Sequence, residues 1–90
     1  MKVVRLFPVE FSQHYIVLVR APVNSRTLNF TEIDGTCYLR VLCDADERGN
    51  ATKGFIVLRS EDPFKDGFDG NGKIGDYVNS IDDSHFFERI

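Results

Sequence analysis

The dipeptide Asp34-Gly35 constrains this chain more than any other feature. Both central residues of a type I′ turn need positive φ, and Asp-Gly supplies them readily, so the pair predicts a two-residue hairpin loop. That loop fixes a register: Ile33 opposite Thr36, Thr31 opposite Tyr38, Phe30 opposite Leu39, Asn29 opposite Arg40 and Leu28 opposite Val41. Side chains alternate between the two faces of a strand. One face then carries Leu28, Phe30, Cys37, Leu39, Val41 and Cys43, and the other Asn29, Thr31, Tyr38, Arg40 and Leu42. A slip by one residue would bury Asn29 and Arg40, so turn chemistry and apolar pattern select the same pairing.

The register also decides the chemistry of the two cysteines. Six residues apart on one strand, Cys37 and Cys43 lie roughly 20 Å from each other, too far to bridge. Both fall on the apolar face, as buried free thiols of a reducing compartment.

The rest of the chain reads as further strands. Residues 3–11 are rich in Val and Phe, and Pro8 marks them as an edge strand or a strand end. Residues 15–20 and 53–59 are apolar runs of buried-strand length. The second of these is expected to pair back onto the hairpin as a three-stranded meander. Residues 73–80 and 85–90 complete the set. No window of helical length repeats apolar residues at i, i+3, i+4 and i+7 without a Gly or Pro. The expectation is a single domain over residues 1–90, mainly β, with about six or seven short strands. They form an antiparallel sheet, a sandwich or a partly closed barrel with little helix.

Charge divides the chain. Lys2, Arg5, Arg20, Arg26 and Arg40 against Glu10, Glu32 and Asp34 give residues 1–43 a net of +2, which leaves −5 for residues 44–90 of the total of −3. An acidic surface argues against direct nucleic-acid binding, which needs clustered cations. Pro8, Glu10 and Gln13 interrupt any secretory apolar core near the start. No run approaches the ~20 apolar residues of a membrane span. No membrane association is expected.

Few motifs survive scrutiny. Asp69, Asn71, Gly72 and Ile74 fit the middle of a calcium-binding EF-hand loop, but Gly67 and Val78 stand where its first and last carboxylates belong. The segment therefore reads as a Gly-rich turn, with no metal and no cofactor expected. His14 and His85 have no ligand spacing to other metal-binding residues. Glu10, Ser12 and His14 lack a nucleophile elbow, and Asp82-Asp83 reads as a turn. No enzymatic activity is expected. Phe64 and Phe68 either fold as a lid over an open end of the core or anchor a partner.

The order of these elements resembles a group of small bacteriophage-encoded β-rich proteins of unknown function. Phe7-Pro8-Val9 is similar to their opening strand, and Ala21-Pro22-Val23-Asn24-Ser25-Arg26-Thr27-Leu28 to the turn that follows. Leu39-Arg40-Val41-Leu42-Cys43-Asp44 resembles the end of their hairpin, with Cys43 in place of an aliphatic residue. The stretch 55–64 with Pro63, then Gly72-Lys73-Ile74-Gly75 and His85-Phe86-Phe87-Glu88, resembles their later segments. The resemblance implies an accessory protein in the cytoplasm of a bacterial host.

Together these readings point to a binding protein that modulates or inhibits a host protein through acidic loops. The candidate contacts are Asp44, Asp46, Glu47, Glu61, Asp62, Asp66 and Asp69, with the aromatics Phe64 and Phe68. Their charge would steer a basic patch on the partner. A second reading is a nucleotide-signal ligand on Asn29, Tyr38 and Arg40. A third is a structural virion component, for which self-association is left open.

Overall fold

A computed structural model describes residues 1–12 and 15–90, with Asp69 described by its backbone alone. Seven strands form the fold: β1 (Lys2–Phe11), β2 (Ile16–Ala21), β3 (Arg26–Ile33), β4 (Thr36–Asp44), β5 (Ala51–Leu58), β6 (Ile74–Ile81) and β7 (Ser84–Arg89). A single 3-10 turn at Phe68–Gly70 interrupts the long β5–β6 loop, and the described residues contain no α-helix. All pairings are antiparallel, in the order β3-β4-β1-β2-β5-β7-β6. The two outer strands of that order, β3 and β6, come back together and nearly close a barrel.

β1 makes the curvature. Its first part pairs with β4 up to Pro8 opposite Tyr38, and its last part pairs with β2 from Val9 opposite Val19. Pro8 sits at the changeover, where a missing backbone donor breaks neither ladder. The final gap is spanned by a side chain. Phe30 N–H donates to Asn79 Oδ1 at 2.7 Å, and Asn79 Nδ2 donates back to Phe30 O at 2.9 Å. A carboxamide presents an acceptor and a donor in the geometry of a peptide group, so Asn79 gives Phe30 the pair of bonds that one residue of a neighbouring strand would give.

The interior is built on aromatic contact. Phe30 stacks on Phe86 with centroids 4.0 Å apart and meets Phe55 edge-on at 4.9 Å. Val17, Val19, Leu39, Val41 and Cys43 fill the space around them. Two inward-facing cations plug one end. Arg5 lies on the face of Val3 and Phe7 and donates to the carbonyls of Ala45 and Glu47. Lys53, opposite Val19, donates to Ser25 O at 2.9 Å. Their stems pack inward while their heads reach loop carbonyls.

Several sequence expectations need correction. The Asp34-Gly35 turn has φ of 50° and 81°, as a type I′ loop requires, and its register holds from Ile33–Thr36 through Asn29–Arg40. Beyond that a β-bulge intervenes: Thr27, not Leu28, faces Val41, and Leu28 turns outward. An extra residue on one strand shifts every later side chain to the other face. β5 does not pair with β4. β1 takes that edge of the hairpin, and β5 lies between β2 and β7. β1 is therefore an interior strand rather than an edge, with its Pro8 at a changeover instead of an end.

The loop after β5 is not a lid over an open end. It runs down the outer face of β5 and β7, where Ile56 is buried although it faces away from Phe55 and the barrel interior. Arg89 lies flat over Gly54 and donates to Gly70 O at 2.7 Å and Asn71 O at 3.0 Å, pinning the loop. Gly72 has φ 81°, and a Cβ there would fall 2.9 Å from both Arg89 Nε and Ile90 O. Gly72→Ala is accordingly expected to cost about 1–3 kcal/mol, from φ strain and the clash together. A urea melt of this variant against wild type measures it.

Candidate functional site

Because every pairing is antiparallel, β1, β3, β5 and β6 all end where β2, β4 and β7 begin. That end lacks the cationic plug of the other and stays open. A cavity of about 400 Å³ occupies it, lined by Phe11, Glu32, Cys37, Arg59, Ile81, Asp82, Asp83, Ser84 and Phe86. Phe86 and Ile81 supply an apolar floor and wall. Asp34 tips the adjacent hairpin, and Glu61 and Asp62 follow Arg59 at the same rim. The Cys37 thiol is half-buried here opposite Glu32, and burial, then the Glu32 carboxylate, push its pKa up. It is held as a neutral thiol, a poor nucleophile.

Asp83 is the hub of the rim. Ser60 N–H and Oγ–H donate to its two oxygens at 3.1 and 2.5 Å, tying the start of the β5–β6 loop to the β6–β7 turn. His85 Nε2 lies 3.2 Å away on the other side. A carboxylate only accepts, so His85 carries its proton on Nε2. Its Nδ1, 2.6 Å from Ser80 Oγ, then accepts a hydrogen bond from Ser80 Oγ–H in the neutral ring, which leaves Tyr77 O–H to donate to Ser80 at 2.6 Å. Ser80, His85 and Asp83 have the connectivity of a hydrolytic triad, but Ser80 and His85 face outward, away from the mouth cavity. Acyl transfer needs substrate held over the nucleophile and donors for an oxyanion. On this strand face the chain of bonds fastens a hairpin.

The Asp83 carboxyl is held below its ordinary pKa, chiefly by the Ser60 hydroxyl, then by the Ser60 amide and His85. A depressed folded-state pKa contributes stability that is present above the unfolded value of ~3.9 and lost as pH falls through the lower folded value. Melting temperature followed from neutral pH into the acid range should fall less steeply for Asp83→Asn than for wild type, starting from a lower value. Parallel curves would remove Asp83 from the acid response.

The acidic residues grouped by the sequence do not converge. Asp44, Asp46 and Glu47 lie at the plugged end, and Asp44 pairs with Lys2 at 3.4 Å. Glu61 and Asp62 lie at the open end, where Asp62 accepts from Arg59 N–H at 2.8 Å. Asp66 and Asp69 lie along the side, and Asp66 accepts from Ile74 N–H at 3.2 Å. Phe64 meets Tyr15 edge-on with centroids 5.9 Å apart, and Phe68 is exposed nearby. With Pro63, Lys65 and Asn71 they line a shallow apolar pocket of about 430 Å³.

Asn29, Tyr38 and Arg40 do share one outer face, Asn29 directly beside Arg40. Asn29 Oδ1 is buried and has no hydrogen-bond donor among the described residues. At the calcium-like segment the Arg89 guanidinium occupies the carbonyls of Gly70 and Asn71. Among the described residues no group of His, Cys, Asp or Glu is placed to hold a metal. His14 lies outside the described residues.

Sequence reasoning passed over Glu32, Arg59 and Ser80. A signal for Ser80 was present: reading Asp82-Asp83 as a two-residue loop sets Ile81 opposite Ser84 and Ser80 opposite His85, which is the observed register. Glu32 and Arg59 gave none, because only barrel closure brings them to one rim. Comparison of the chain with protein-family models, with curated proteins and with solved structures finds no match.

Proposed function

We propose that this chain is a non-enzymatic binding protein whose acidic mouth grips a basic segment of a macromolecular partner. The observation behind this reading is the cavity of about 400 Å³, whose lining sets the apolar Phe11, Ile81 and Phe86 beside three carboxylates, Glu32, Asp82 and Asp83, against one cation, Arg59. A Lys or Arg side chain suits such a site, with its methylenes on the apolar floor and its head at the rim. In the phage setting that the sequence resembles, the partner is a bacterial protein in the host cytoplasm. Covering a basic cleft that serves nucleic acid would inhibit it.

The carboxylates that count are redistributed. Asp44, Asp62 and Asp66 are engaged by their own chain, which leaves Glu32, Asp34, Glu61 and Asp82 as the rim charges to meet a partner. The test is a pull-down from bacterial lysate at about 50 mM salt, where exposed charges are weakly screened. Wild type and Asp46→Lys, reversed at the plugged end, should retain the same partner. The Glu32→Lys/Glu61→Lys double variant should lose it. Retention by the mouth-reversed protein, or no partner for wild type, overturns the reading.

A further inference from the structure

The outer face of β3, β4 and β1 combines exposed apolar side chains with unpaired cations. The ladders set Arg26, Leu42 and Val4 in one row, Asn29, Arg40 and Leu6 in the next, and Thr31, Tyr38 and Pro8 in the third. Val4 is 55% exposed and Leu6 42%, and the bulge turns Leu28 out beside them. Arg26 and Arg40 have no ion-pair partner among the described residues, whereas Lys2 at the edge is matched by Asp44. The mouth is the electrostatic opposite. Phe11 is 65% exposed beside Glu32, Asp82 and Asp83, with Arg59 the one cation among the lining residues, and Asp34 tips the adjacent hairpin.

We infer that the β3-β4-β1 face docks the mouth of a second copy of this chain. Charge decides the geometry. Two such faces in contact would oppose Arg40 to Arg40, and two mouths would oppose carboxylates, each a like-charge cost. Face against mouth places guanidinium groups on carboxylates and Val4, Leu6 and Leu28 against Phe11 and Ile81. The contact is heterologous, since one patch lies on the barrel's side and the other at its end. Every copy keeps one patch of each kind free, so association extends beyond a dimer or closes as a ring. The mouth is shared with the proposed partner site, and assembly competes with partner binding. The inference itself rests on the two surfaces and holds whatever the partner is.

Sedimentation of the whole chain from about 10 µM to about 1 mM reads the association directly. At about 50 mM salt the weight-average mass should climb past twice the monomer, and at about 500 mM it should return to the monomer. Arg40→Glu on the face and Glu32→Lys in the mouth, both checked for native circular dichroism, should each be monomeric alone. Mixed in equal amounts they should associate again, because the unaltered face of one meets the unaltered mouth of the other and the two reversed charges are likewise complementary. Wild type that stays monomeric at low salt overturns the inference. So does association that persists in either single variant, which would indicate an isologous contact through the unaltered patch. A monomer that still captures a mouth-dependent partner would sink this inference alone. Salt-sensitive assembly with no such partner would sink the proposed function alone.

Discussion

Phe30→Ala is expected to destabilise the protein by about 3–5 kcal/mol, a large share of the stability of a domain this small. The ring is 1% exposed, stacked on Phe86 and edge-on to Phe55, so its removal strips two aromatic contacts and leaves a cavity at the centre of the barrel. The site cannot easily collapse, because β3 is held on one side by the β4 ladder and on the other by Asn79. Phe30→Leu keeps most of the volume and should lose about 1–2 kcal/mol. Urea denaturation at neutral pH measures both. A loss under about 1 kcal/mol for the alanine variant would mean that the aromatic triad is not the centre of the core.

That core was legible because its determinants are local. Asp34-Gly35 fixes the hairpin, and the hairpin fixes Phe30 and Leu39 as an inward pair. The bulge at Leu28 was not legible. Leu28 continues the apolar alternation of the strand, and nothing in its side chain announces that Thr27 will take its place opposite Val41. The exposed Leu28 that results becomes part of the outer apolar face, so one irregularity in the backbone changes the surface chemistry.

Strand order was hidden for a different reason. A run such as 53–59 states that it is buried but not beside which neighbour. Its partners β2 and β7 are chosen by closure of the whole barrel. The same closure carries Glu32, Cys37, Arg59 and Asp82 to one rim, although they are spread over fifty residues of chain. Asp44 and Glu61 look like neighbours in an acidic half of the sequence, yet β5 runs between them and puts them at opposite ends. Charge counted along the chain thus identified an acidic surface without locating it.

The second large effect concerns the seam. Asn79→Ala removes both bonds to Phe30 and leaves a half-buried N–H and C=O without partners, for an expected loss of about 2–4 kcal/mol. Asn79→Asp is the sharper variant. A protonated carboxyl still offers one acceptor and one donor, so it can bridge Phe30 much as the amide does. An ionised one accepts from Phe30 N–H but sets a negative charge against Phe30 O. Its folded-state pKa is therefore raised, and stability held below the unfolded pKa is lost as pH rises through the folded value. Asn79→Asp should approach wild type in acid and fall toward Asn79→Ala at neutral pH, the reverse of the trend set by Asp83. Amide exchange at Phe30 reads the same event at one residue. Protected in wild type by the Asn79 carbonyl, it should exchange at edge-strand rates in Asn79→Ala and at neutral pH partly recover in Asn79→Asp, whose carboxylate still accepts from it. If Phe30 stays protected in Asn79→Ala, the backbones of β3 and β6 pair without the side chain, and the barrel is closed by its strands alone.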